Sequence, residues 1–408
     1  MRTRVGPAIA AALITGTLFT LVALQAVRRA DGNYSALLHI SDRALRSNPQ
    51  LRDRVAIKEQ LVLSPNGYDA QWTYFATFDP LLTRYAHAPH NYYLMMDMPP
   101  YRYGRIGHIW LTRLIARDRW RAYPATLVWT VIFGCVWSAL ALSAIAQHAG
   151  RSGWWGAAIL LVPGFWQSVQ VTLPEPLAAG AVLTGLACAQ RRMWWAAAAA
   201  FAMALLTRET SAVALVGLCG GLYWRGERRI AVWLLSIALV PVAIWRWHIF
   251  NVLSPVFGWD AVAFNPGTFG WPFSGMTAAM SKVLAGTYNA MAPEMSRAAM
   301  GLTALVAGGA TIAWIAAWKR PSVPTVIAAL YAIMAVSLSG DHVWKHPGNV
   351  QRTSAELFLW LAVVAATWTA PNATVHRTVV AVLIATGVFL LALAHDAPTI
   401  RSALMLLQ

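Results

Sequence analysis

The chain has 408 residues, of which 58% are hydrophobic and only 12% charged, with a formal net charge of +16. An ordinary soluble domain carries roughly 25% charged residues, so the composition excludes that class and indicates an all-α polytopic membrane protein. The basic excess lies in connections between apolar runs, where it fixes topology and meets membrane lipids, so no nucleic acid is expected as a partner.

In chain order, Met1-Arg2-Thr3-Arg4 precedes an apolar run from Val5 to about Val27. A bilayer takes about 20 residues to cross and a signal-peptide core only about 7–15, so 5–27 reads as a retained first transmembrane helix. Residues 28–122 are too polar for lipid and read as a long extracytoplasmic loop. Within it Tyr34, Leu37, Leu38 and Leu45, then Leu51, Val55 and Val62, have roughly helical spacing, which predicts short helices lying on the membrane surface. The run 106–115 is apolar but too short to span, and Arg113 interrupts it. Residues 123–395 read as a helical bundle. Ten further spans are predicted in it, at 123–147, 154–171, 174–190, 193–207, 210–224, 230–250, 298–318, 322–339, 354–370 and 376–395, with an outer loop at 251–297. That makes about eleven transmembrane helices in one domain. The runs 193–207 and 210–224 are short for a span, which predicts a broken or tilted helix there.

Charge supports this alternation. With the N-terminus in the cytoplasm, the inner connections carry Arg151, the pair Arg191 and Arg192, the group Arg225, Arg228 and Arg229, then Lys319 with Arg320, and Arg377. Of the 16 acidic residues only Glu227 falls in an inner connection, and nearly half lie between residues 31 and 105. That bias places the working face outside the cytoplasm. The 21 Trp suit the two membrane interfaces, with Trp154-Trp155 and Trp194-Trp195 as anchors at inner helix starts. Cys135, Cys188 and Cys219 lie inside apolar segments without a spacing motif, and read as packing residues.

Candidate chemistry concentrates in Gly67-Tyr68-Asp69-Ala70-Gln71-Trp72-Thr73-Tyr74 and in Asp97-Met98-Pro99-Pro100-Tyr101-Arg102-Tyr103-Gly104-Arg105. Asp69 stands among Tyr68, Trp72, Tyr74 and Phe75, a setting expected to desolvate its carboxylate, raise its pKa and suit it to general-base work. A helix-capping Asp after Gly67 is the competing reading. Asp79 and Asp97 also stand before or near prolines, where an Asp can simply start a turn. Arg102 and Arg105 lie one helical turn apart and suit phosphate oxygens, or else snorkel at a membrane surface. Arg208 and Glu209 sit between two apolar runs, as a site or as a self-satisfied pair. Glu175, between two prolines, reads as a helix start. In the last outer loop Lys345 and Arg352 are placed to close over a phosphate. His342 and His346 have i,i+4 spacing, and His87 and His90 lie in the first outer loop, but no HExxH or Cys partner accompanies them. No metal ligand set is therefore assigned. There is no DxD, P-loop or GxGxxG at a strand–helix junction, so a soluble nucleotide-sugar or ATP site is unsupported.

These motifs resemble the GT-C type integral-membrane glycosyltransferases, and more closely bacterial proteins of cell-surface glycopolymer formation. The resemblance rests on Gly67-Tyr68-Asp69-Ala70-Gln71, Asp79-Pro80, Pro100-Tyr101-Arg102-Tyr103-Gly104-Arg105 and Leu206-Thr207-Arg208-Glu209-Thr210. It implies a first helix, a long outer loop carrying a catalytic acid, and many further helices in a bacterial inner membrane. The donor implied is a sugar on a polyprenyl phosphate, and the acceptor a cell-surface glycan or lipid. Asp69 would deprotonate the acceptor hydroxyl, with inversion at the anomeric carbon. Tyr68, Gln71, Asp79, Asp97, Tyr101, Arg102, Arg105, Arg208, Glu209, Lys345 and Arg352 would bind substrate. No cofactor is required by the motifs, and a divalent metal stays open. Two positions depart from the pattern: relatives often carry Asp-Gly where this chain has Asp69-Ala70, and Gln where it has Gly104. A transporter or flippase of lipid-linked sugars, and a glycan polymerase or ligase, are the alternative readings.

Overall fold

The computed structural model describes residues 5–46, 61–64, 67–83, 96, 98–258, 269–286, 293–368 and 373–396. The first helix, α1 (Val5–Arg29), is followed by a 3-10 turn (Tyr34–Leu38), β1 (Ile40–Ser41) and α2 (Asp42–Arg46). Next come β2 (Leu63–Ser64), α3 (Asp69–Ala76), α4 (Pro99–Tyr103) and α5 (Ile106–Ala116). The bundle then runs through α6 (Tyr123–His148), a 3-10 helix (Gly153–Leu161), α7 (Pro163–Gln170), α8 (Glu175–Gln190) and α9 (Trp194–Thr207). After the 3-10 turn Glu209–Ser211 it continues with α10 (Ala212–Trp224), α11 (Arg228–Phe257), α12 (Ser274–Leu284) and α13 (Pro293–Lys319). It closes with α14 (Val323–Val336), α15 (Asp341–Lys345), α16 (Pro347–Thr353), α17 (Ala355–Thr367) and α18 (Ala373–Asp396).

Among the described residues each predicted span holds helical segments over most of its length. By length and composition, five helices are able to cross a membrane among the described residues: Val5–Arg29, Trp120–His148, Arg228–Pro255, Ser296–Lys319 and Thr374–Ala392. The fold is thus an all-α membrane architecture. The break expected near 193–207 or 210–224 lies elsewhere. Residues 194–207 form one unbroken helix of 14 residues, and the predicted span 154–171 is the divided one. Its 3-10 helix ends at Leu161, and α7 starts on Pro163, whose ring fits the first turn of a helix and cannot continue the preceding one.

The helix predicted from Tyr34 to Leu45 is also divided. His39 takes a left-handed conformation (φ 47°), which ends the 3-10 turn and lets Ile40–Ser41 pair in parallel with Leu63–Ser64. Leu51 and Val55 of the second predicted surface helix lie outside the described residues.

Two apolar cores hold these parts. The larger lies between the bundle helices, from Phe19 of α1 to Leu383 of α18. At its centre α6 packs on α8, where Gly134 lies so close that an added Cβ would stand 2.5 Å from the Leu177 backbone nitrogen. The second core joins the loop to the bundle: Tyr74, Phe75, Tyr103, Ile106 and Ile109 pack with Leu127 of α6 and with Trp245, Ile249 and Leu253 of α11. A loop docked on helix ends in this way is a platform with fixed position relative to them.

Candidate active site

The docked loop brings Asp69 against the ends of the bundle helices. Asp69 opens α3, following Tyr68 in an extended conformation. Its carboxylate pairs with Arg102 of α4 at 3.0 Å and with Arg352 of α16. Arg352 also donates from Nε to Glu175 of α8 at 2.7 Å. Glu175 pairs in turn with Arg208, and Arg208 with Glu356 of α17 at 2.6 Å. Beside this chain of charges, Arg105 holds Glu209 in a two-pronged pair, Nε at 2.9 Å and Nη2 at 2.6 Å. Arg105 also donates to the Tyr101 hydroxyl and stacks on that ring at 4.3 Å.

Helix polarity explains much of the placement. Asp69, Glu175, Glu209 and Glu356 each occupy the first turn of a helix, where unpaired backbone N–H groups favour negative charge. Arg102 and Arg352 occupy last turns, where carbonyls favour positive charge. Four carboxylates from helix starts therefore meet four guanidiniums, two of them from helix ends.

The expectation for Asp69 is corrected. Its side chain is 24% exposed, and burial alone would raise its pKa. Arg352 and Arg102 outweigh burial and hold the carboxyl well below the usual carboxylate range. The sequence showed the aromatic neighbours but not the guanidinium that arrives from a segment 283 residues later. Glu209 behaves alike: burial pushes it up, and Arg105 pulls it below the ordinary glutamate value. The Tyr68 hydroxyl donates to Asn349 Oδ1 at 2.8 Å, and burial raises its pKa.

Not every candidate joins this cluster. Gln71 is buried, and its side-chain oxygen accepts from the Ser41 backbone N–H at 3.1 Å, which ties α3 to β1. Asp79 is buried with Oδ1 accepting from the Thr83 N–H at 3.0 Å, the turn geometry its Pro neighbour suggested. Lys345 ends α15. Asp97, His87 and His90 lie outside the described residues. His346 accepts from the Gly348 N–H at 3.1 Å through Nδ1 and so caps α16. Among the described residues no group of three or more His, Cys, Asp or Glu is placed to hold a metal ion.

Sequence reasoning passed over two members of the cluster. Glu175 read only as a helix start. Glu356 was not singled out, although a lone carboxylate at the edge of an apolar run was the available signal. Arg246 adds a fifth guanidinium nearby, donating to the Pro100 carbonyl at 3.3 Å. It also accounts for Gly104, since an added Cβ there would stand 2.5 Å from Arg246 Nη2. The volume that a side chain at position 104 would take is filled from α11.

No family model matches the sequence, and no curated protein does. Among solved structures the chain is similar to ArnT from Cupriavidus metallidurans, in a crystal structure bound to undecaprenyl phosphate. The two share 17% identity with a TM-score of 0.42, covering 95% of this chain and 71% of that one.

Proposed function

We propose that this chain is a GT-C-like glycosyltransferase. In this reading it moves a hexosyl or pentosyl group from a polyprenyl-phosphate donor to a glycan or lipid acceptor at the outer face of the membrane. The observation that carries the reading is the meeting of Asp69 with Arg102 and Arg352, one carboxylate between two guanidiniums from the loop and the bundle. This supports a base beside an anion site. The acceptor hydroxyl oxygen attacks the anomeric carbon, its proton passes to Asp69, and the bond from that carbon to the phosphate oxygen breaks with inversion. The departing phosphate needs cations, and guanidinium forks suit its oxygens.

A carboxylate pinned by two arginines is a weak base. Donor phosphate competes for the same guanidiniums, and as it draws Arg102 and Arg352 away the Asp69 pKa climbs back toward working pH. The base is therefore quiet until the donor binds. Tyr68, Tyr101, Arg105, Arg208 and Glu209 line or brace the same region. Lys345 and Asp97 are kept as proposed substrate-binding residues.

Transport of the same lipid is the second reading. The deciding experiment supplies purified protein with polyprenyl-phosphate sugars and an acceptor extract, and follows release of polyprenyl phosphate. Asp69→Asn is expected to fold and to release polyprenyl phosphate about 10²–10⁴ times more slowly. Normal release from that variant would remove Asp69 as the base.

A further inference from the structure

At the end of the bundle assigned to the cytoplasm, α9 and α11 begin side by side and leave a groove of about 610 Å³ between them. Its lining is of two kinds: Arg192 and Arg229 supply guanidiniums, and Trp194, Trp195, Ile230 and Trp233 supply an apolar wall. The tryptophans are fixed relative to one another, with Trp195 standing edge-on to Trp233 at 4.5 Å and 90°. Trp195 is nevertheless 70% exposed, a large apolar surface left uncovered next to positive charge.

The charge is also largely unspent. Arg192 reaches Glu227 only at 3.9 Å, with its side chain 77% exposed. Arg229 is exposed and has no ion pair among the described residues. Neighbouring Arg191 is committed to the Ala187 carbonyl at 2.9 Å, and Arg228 stacks on Tyr223 at 4.9 Å. Arg192, held only by a long exposed pair, and Arg229 thus line the groove while the others are engaged locally.

A ligand matching both walls carries an anionic head for the guanidiniums and a hydrocarbon body for the indoles. Basic pockets between helices at a membrane surface take anionic lipid heads by this chemistry, and Trp rings favour the boundary where head meets chain. We propose that this groove is a binding site for one anionic membrane phospholipid, its phosphate held by Arg192 and Arg229 and its first chain segments laid along Trp195 and Trp233. The charge needed for topology does not by itself produce such a groove. The turn at Lys319 and Arg320 carries charge as well and provides the control.

The test is native mass spectrometry of the full chain in detergent, titrated with phosphatidylglycerol or with phosphatidylethanolamine. Phosphatidylglycerol is expected to bind at least tenfold more tightly, and the double substitution Arg192→Ala with Arg229→Ala to remove that preference, about tenfold in Kd. The pair Arg192→Lys with Arg229→Lys, which keeps the charge on exposed side chains, is expected to retain most of it. Lys319→Ala with Arg320→Ala is expected to change nothing. Equal binding of the two lipids would overturn the proposal, as would an equal loss from the Lys319 and Arg320 pair. Displacement of the lipid by inorganic phosphate at equal concentration would identify a free anion as the occupant, and also overturn it.

Discussion

At the scale of the residue, Asp69 carries the reading. Asp69→Asn keeps the side-chain shape while removing the proton acceptor, so turnover is expected to fall by about 10²–10⁴, with donor binding tightened because Arg102 and Arg352 no longer face a carboxylate. Arg352→Ala removes one stabiliser of the departing phosphate, with an expected loss of about 10²–10³ in kcat. The depressed pKa of Asp69 gives a sharper test. In the free protein the base stays ionised to unusually low pH, so the acid limb of kcat/KM lies below the usual carboxylate range. Once the donor has taken the guanidiniums, the pKa is higher, so the acid limb of kcat lies at higher pH. Superimposable limbs, measured with purified protein, would argue against the exchange of arginines between carboxylate and phosphate.

At the scale of the element, helix ends and close approaches decide stability. Arg208 is buried between the first turns of α8 and α17, paired with Glu175 and Glu356. Removing it leaves buried carboxylates short of a partner, so Arg208→Ala is expected to cost about 3–5 kcal/mol, read as a marked drop in Tm in detergent. Glycines divide by what faces them. Gly134→Ala meets the Leu177 backbone, which cannot step aside, and is expected to cost about 1–3 kcal/mol. Gly104→Ala meets only the tip of the Arg246 side chain and is expected to leave Tm nearly unchanged. Equal losses of Tm at the two glycines would contradict the packing described. These glycine environments were not legible in the sequence, because the neighbours lie more than 40 residues away in each case.

At the scale of the molecule, the proposed function requires the charge cluster to lie on the outer face. Arg225 and Trp271 are both exposed, on connections assigned to opposite sides. In intact cells Trp271→Cys is expected to react with an impermeant maleimide added outside and Arg225→Cys to react only after lysis. The reverse pattern would turn the whole topology over. Most helix positions in the bundle were legible, since apolar run length is a local property that a bilayer reads directly, but the division of 154–171 at Pro163 was not. The loop was less so. Tyr34 to Leu45 has helical spacing yet folds as a 3-10 turn, strand and short helix, because a left-handed His39 and a partner strand at Leu63–Ser64 override local periodicity.

The sequence alone determined the membrane class, the run of helices and the two motifs that hold Asp69, Arg102 and Arg105, since each depends on residues near one another in the chain. Only the tertiary structure decided that Arg352, Glu175 and Glu356 meet Asp69 and Arg208 in one cluster, and that the Asp69 carboxyl is therefore held below the usual carboxylate range rather than raised above it. The reason is physical: a carboxylate's pKa follows the charges within a few ångströms of it, and which charges those are is fixed by how distant helix ends pack.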